Sequence, residues 1–156
     1  MRPVDPGHFR SVMGNFATGV TVITATAGSG PVGMTANAVA SLSLEPLLLL
    51  VAFDNTARTL QVVRETQRFG VNVLGSGQEA LARLFASKAP EDAKFAGVPH
   101  TVYDGLPVID GTIAWVGCRL ERLVAAGDHT IGIGAVESAE AGDGRPLLWF
   151  RGGYRA

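Results

Sequence analysis

The sequence predicts a mainly β fold, an antiparallel barrel or sandwich with a few short helices at its ends. Three observations carry that expectation. Six or seven short runs rich in β-branched and apolar residues follow one another without regular βαβ alternation. Twenty glycines favour many tight turns over long helices. No Gly-x-Gly-x-x-Gly follows a strand, so a Rossmann sheet fits poorly.

At 156 residues the chain reads as one domain, spanning 1–156, with length enough for a proper core. Hydrophobic residues make up 47% and charged residues 17%, which excludes a disordered chain. The net charge of −1 and the absence of a basic block argue against nucleic-acid binding. The single cysteine, Cys118, excludes an internal disulfide and a thiolate metal cluster. No signal peptide is visible, and the longest apolar run, 47–53, is too short to span a membrane. A soluble, cytoplasmic protein is expected.

Asp5-Pro6 reads as an N-cap followed by proline at the first helical position. Phe9, Val12, Met13 and Phe16 then recur at helical spacing and predict an amphipathic helix over 6–17. A strand rich in β-branched residues starts after Gly19, and Gly28-Ser29-Gly30-Pro31 predicts a hairpin loop longer than two residues. Residues 32–43 continue extended, and 46–53 read as a buried strand. Thr56 is placed to cap a helix over 57–66, with Leu60 and Val63 inward. A strand over 68–74 and a helix over 79–87 follow, the helix with Leu81, Leu84 and Phe85 on one side. Residues 88–97 read as charged and irregular, and 98–111 as loop with at most a short strand. Long strands are expected over 112–125 and 129–138, joined at Gly127-Asp128, with a last one over 146–150. Polar Arg119 and Glu121 alternate with Cys118 and Leu120, so one face of the first long strand meets solvent or a subunit contact. The tail from Arg151 to Tyr154 has no readable period.

The stretch 33–59 holds two polar clusters around its apolar middle. It lacks a strong nucleophile and a metal-ligand set. It offers hydrogen-bond donors, one cation and close backbone approach, which suits a flat, polar-edged ligand carrying a phosphate. Asp54, Asn55, Thr56, Arg58 and Thr59 fall where a strand ends and a helix begins. Free N–H groups and the positive dipole end make such a place a ready phosphate site. The plainer reading is capping by Thr56 with Arg58 in solvent. Ser41 and Ser43 alternate with Leu42 and share one face. Cys118 reads as a small core residue, and Trp115 and Trp149 as core or dimer-interface residues.

Several pieces together carry a family likeness: GVTVIT (19–24), GMTANAVASLSLEP (33–46), the DN-x-x-RT cluster, RFGVNVL (68–74), FAS (85–87), KFAG (94–97), AW-x-x-C (114–118), GDHTIGIG (127–134) and PLLWFRGGYR (146–155). In this order and over nearly the whole chain, they resemble the short-chain flavin reductases, the reductase components of two-component flavin monooxygenases. The resemblance implies a Greek-key, FMN-binding split barrel with short flanking helices, usually a homodimer with flavin near the subunit interface. It implies an NAD(P)H:flavin oxidoreductase that moves hydride from NADH or NADPH to FMN or FAD. Reduced flavin would then reach a partner oxygenase. A non-catalytic flavin carrier on the same fold is the alternative. The choice of FMN or FAD, and of NADH or NADPH, stays open.

The resemblance also implies site residues. Thr35, Ala36 and Asn37 match the segment along the isoalloxazine and ribityl chain. Ser41, Leu42 and Ser43 offer hydroxyl or backbone contact. Asn55, Thr56, Arg58 and Thr59 form the phosphate cluster, and Asp54 orders the loop or meets ribityl hydroxyls. Ser87 and Lys88 add a phosphate contact. His129, after the Gly-Asp turn, contacts the nicotinamide nucleotide. Arg151 and Tyr154 close the site by stacking or charge, unless the tail simply packs on the barrel.

Overall fold

The computed structural model describes residue 1 and residues 3–156. Helix α1 (Pro6–Met13) starts as expected: the Asp5 carboxylate accepts the His8 N–H at 2.8 Å, and proline occupies the first turn. It stops short of residue 17, because the Asn15 amide donates to the Ser11 and Val12 carbonyls and closes the last turn. Its apolar face does not point inward. Phe9, Val12, Met13 and Phe16 are all exposed.

Strands β1 (Thr18–Gly19), β2 (Thr21–Ala27) and β3 (Gly30–Ala36) follow. Ala27 pairs with Gly30, so the β2–β3 turn is the two residues Gly28-Ser29, tighter than the expected loop. Strand β4 (Val39–Leu44) leads into β5 (Leu47–Asp54). The latter is not buried on both faces as expected. Leu49, Val51 and Phe53 are buried, while Leu48, Leu50 and Ala52 are half-buried on the other face.

Helix α2 (Arg58–Thr66) packs Leu60 and Val63 inward as the spacing predicts. Strand β6 (Arg68–Val73) and helix α3 (Glu79–Ala86) come next. In α3, Ala82 and Phe85 are the buried pair, and Leu81 and Leu84 are half-buried. The segment expected to be irregular contains helix α4 (Glu91–Phe95), with Lys94 and Phe95 buried. Pro90 before two acidic residues is the start signal that reveals it, weak because the helix is one turn long. The expected loop over 98–111 contains a hairpin, β7 (His100–Tyr103) and β8 (Leu106–Ile109). Its turn is Asp104-Gly105, both at positive φ, a primed turn of the kind that suits twisted strands. Strands β9 (Ala114–Ala126) and β10 (His129–Ala141) have thirteen residues each. The tail forms β11 (Leu148–Phe150) and β12 (Gly153–Arg155), which join β1 in a small sheet.

The main sheet has seven antiparallel strands in the order β3-β2-β6-β9-β10-β5-β4. Its two edge strands, β3 and β4, are consecutive in the chain, joined through Asn37 and Ala38. The sheet rolls up to satisfy that short connection, and the barrel stays split between its edges. Strand β2 is apolar on both faces for a reason: Ile23 and Ala25 enter the barrel core, while Val20 and Val22, before and within the strand, pack under α3. Within the barrel, Phe53 and Phe69 meet edge to face at 6.0 Å. A Cβ at Gly132 would come within 2.8 Å of Phe53, and one at Gly134 within 2.6 Å of Phe69. The glycines of GDHTIGIG therefore make room for the two rings.

Among the described residues, no helix is long and apolar enough to cross a membrane.

Candidate functional site

A cleft of ≈ 970 Å³ opens between edge strand β3, the end of β5, the start of α2 and the α3–α4 segment. Thr35, Asp54, Thr56, Arg58, Thr59, Ser87 and Lys88 all line it. These residues come from three separate sequence stretches, and the rolled sheet brings them together.

The first turn of α2 is the cleft's anion-seeking corner. Its N-cap is Ala57, whose side chain makes no cap bond. Thr56, expected as the cap, is turned away: its hydroxyl and its N–H both donate to Asp54 Oδ1, at 2.6 and 2.8 Å. The free N–H groups of the first turn therefore stay available to a ligand. Thr59 is 1% exposed, yet its hydroxyl has no hydrogen-bond partner among the described residues. Among the described residues, the side chains of Arg58 and Lys88 find no ion-pair or hydrogen-bond partner. An orphaned hydroxyl, two unpaired cations and an uncapped helix start fit a phosphate. The two bonds from Thr56 hold the Asp54 carboxyl below the usual aspartate range, so it stays a charged turn-former.

Strand register joins the second cluster to the first. His129 pairs directly with Asp54 across β10 and β5. Asn55 spends its groups on the Gly127-Asp128 turn: its N–H donates to Asp128 O at 3.0 Å and its amide to Gly127 O at 3.1 Å. Its carbonyl oxygen accepts the Thr130 hydroxyl at 2.7 Å. Asn55 thus builds the turn that presents His129. The His129 Nδ1–H donates to Asp128 Oδ1 at 2.7 Å, because a carboxylate only accepts. In the neutral ring, Nε2 is then left as an acceptor.

The remaining expected residues lie elsewhere. Ala36 is buried in the barrel core. Asn37 lines a second, largely apolar groove of ≈ 980 Å³, formed by α1, β1, Val39, Leu50 and Trp149. Its amide donates to the Thr18 hydroxyl at 3.2 Å. Ser41, Leu42 and Ser43 lie on exposed edge strand β4. Ser41 and Ser43 do not simply alternate with Leu42, because the β4–β5 register shifts between them and inserts an extra residue. Arg151 ties the tail to α1: its Nε donates to Asn15 Oδ1 at 2.9 Å and its N–H to Gly14 O at 2.8 Å. Tyr154 packs edge to face on Trp149 at 4.9 Å, under the Arg83 guanidinium.

Sequence reading missed Glu91 and Lys94, which line the cleft and bond the backbone of Gly33. Their signal was the Pro90-led helix start. Among the described residues, no group of three His, Cys, Asp or Glu is placed to hold a metal.

The chain is similar to known proteins over nearly its whole length. Residues 13–156 match the family model described as "Flavin reductase like domain". The reductase subunit HsaB of a flavin-dependent monooxygenase from Mycobacterium tuberculosis is 41% identical over 155 residues, covering 97% of this chain and 82% of that protein. An NADH-dependent flavin reductase from a Rhodococcus species is 35% identical over 156 residues, covering 98% and 87%. Among solved structures, the Streptomyces globisporus NADH:FAD oxidoreductase SgcE6, in complex with NAD and FAD fragments, superposes with a TM-score of 0.92. It is 38% identical, with 100% of this chain and 96% of that chain covered.

Proposed function

The chain belongs to the flavin reductase like family, and from that premise we propose that it is an NADH-dependent flavin reductase that supplies reduced flavin to a partner monooxygenase. The observation that carries the reading is the cleft itself. It combines an uncapped helix start, the orphaned Thr59 hydroxyl and the unpaired Arg58 and Lys88 with an open sheet edge at Thr35. Arg58, Lys88, Thr59 and the first N–H groups of α2 hold the flavin phosphate. Thr35 lines the cleft beyond that corner, along the ring side, and Ser87, whose hydroxyl donates to Leu84 O at 2.6 Å, ends α3 on its rim.

Flavin, once bound, supplies the chemistry by taking hydride from reduced nicotinamide. The chain's part is alignment. Asn55 and Asp128 fix the His129 ring, and His129 orients the nicotinamide nucleotide without giving up a proton. That division asks the chain to align two rings and assigns no residue to proton transfer.

The exposed apolar surface of α1 and of the turn after it belongs to a contact with a second copy. Phe9 and Phe16 are 58% and 69% exposed, and the groove beside them is lined by Met13, Ala17, Val39 and Trp149. So much apolar surface on one side of a small barrel favours a homodimer. The reaction draws on reduced nicotinamide, which places the protein's work in the cytoplasm. The test of the function is direct. Purified protein with NADH, and separately with NADPH, is followed at the nicotinamide absorbance band against FMN, FAD and riboflavin. NADH oxidation that depends on added flavin is expected; none with any flavin would overturn the reading.

A further inference from the structure

We propose that Glu91 and Lys94 of α4 are positioning residues that set where a ligand can add to the edge of the sheet. The inference rests on the flavin reading of the cleft. Strand β3 is an edge strand, so every second residue turns its N–H and C=O away from β2. The parity is visible in the bonds. Gly33 N–H donates to Glu91 Oε2 at 3.1 Å, and the Lys94 ammonium donates to Gly33 O at 3.3 Å, so Gly33 faces outward. The next outward positions are Pro31, which has no N–H to leave unpaired, and Thr35. The Ala36 carbonyl accepts the Thr21 hydroxyl of β2, in keeping with the same parity.

The two side chains therefore occupy both edge groups of Gly33. Lys94 and Glu91 also pair with each other at 3.4 Å, with side chains only 7% and 13% exposed. A charged pair this far from water is held in place by its partners, and the peptide of Gly33 is one of them. Along the outward row, proline leaves no donor at 31 and α4 closes position 33. Among the described residues of this outward row, Thr35 is left with an adjacent N–H and C=O toward the cleft, since no described loop or helix backbone bonds it and its hydroxyl is engaged with Ala82 O at 2.6 Å. A uracil-like ring edge, which carries a donor and an acceptor side by side, adds there and at no other register. The device selects a position along the strand and leaves the phosphate corner to α2.

Amide hydrogen exchange on the wild-type dimeric or monomeric protein tests this without a substitution. The Gly33 amide is expected to be protected with and without riboflavin. The Thr35 amide is expected to exchange freely alone and to become protected when riboflavin binds. A Thr35 amide already protected without flavin, or indifferent to it, overturns the inference. The double variant Glu91→Gln/Lys94→Met removes both charges together and keeps an acceptor for Gly33 N–H. It is expected to weaken FMN and riboflavin alike, by roughly five- to tenfold, the scale of one neutral hydrogen bond, and to alter the visible absorption band of bound flavin. Lys94→Arg restores the donor and should bind as wild type. Unchanged affinity and band shape in the double variant, with only a lowered Tm, assigns the pair a purely structural role and sinks the proposal. Wild-type protein that binds no flavin at all would instead overturn the flavin reading itself.

Discussion

Replacing Thr59 by valine should move stability and ligand affinity in opposite directions. The side chain is 1% exposed, sits in the first turn of α2, and its hydroxyl has no partner. Valine keeps the β-branched shape and nearly the same helix propensity, so packing and backbone are left alone. An unpaired buried hydroxyl costs about 1–3 kcal/mol in mutational series. Removing it should therefore stabilise the ligand-free protein by about 1 kcal/mol, which raises Tm by about 2–4 °C in a domain of this size. A hydroxyl donating to a phosphate contributes about 1.5–3 kcal/mol, so FMN affinity should fall roughly ten- to hundredfold. Riboflavin lacks the phosphate and should bind Thr59→Val as it binds wild type. Arg58→Ala is the companion: it should weaken FMN more than riboflavin, without the gain in Tm. Calorimetry of the ligand-free protein and flavin fluorescence quenching supply the two readouts. A lowered Tm together with equal losses for FMN and riboflavin would refute the reasoning, since Thr59 would then be a packing residue outside the phosphate corner.

Three further outcomes follow from the same geometry. His129→Ala should raise KM for NADH and lower kcat/KM roughly ten- to hundredfold, while flavin affinity without nicotinamide stays put; loss of flavin binding instead would move His129 into the flavin pocket. Burial, with the nearby Glu137 charge second, pushes the Cys118 thiol up to about 12. Native protein at pH 8 should therefore resist alkylation until unfolded. Because the folded-state pKa is the higher one, Cys118 costs no stability below the ordinary thiol pKa, and stability declines as pH rises from there toward 12. Phe16→Asp places a charge on the exposed apolar surface just after α1 and should shift light-scattering mass from dimer to monomer; a wild-type protein that is already a fully active monomer would count against the dimer.

Much of the architecture was legible because its signals are local. β-branched runs, the Asp5-Pro6 start and the Gly127-Asp128 turn each depend on a few neighbouring residues. The strand-to-helix junction that carries Arg58 and Thr59 was legible for the same reason, since the sequence itself marks it. Helix α4 escaped because five residues carry too little period, and the β7–β8 hairpin because prolines and glycines around it read as loop.

What the sequence could not decide is which polar groups are already engaged. Thr56 looks like a cap, yet Asp54 is a nearer acceptor, and that choice leaves the start of α2 open. Asn55 looks like a ligand residue, yet the turn between β9 and β10 arrives alongside and accepts from its amide, while Thr130 of β10 donates to its carbonyl oxygen. Arg151 lies in the tail, and the small sheet formed with β1 carries it to Asn15 of the α1 end. The edge of β3 is the clearest case. The missing side chain at Gly33 marks a close approach, since a Cβ there would come within 2.7 Å of Phe85, but only packing shows that α4 closes its peptide and leaves that of Thr35 open. Local sequence determines secondary structure and the kinds of groups present, because propensity, capping and turn chemistry act over a few residues. Occupancy of each donor and acceptor is a tertiary property, because only packing brings the competing partners within hydrogen-bond distance.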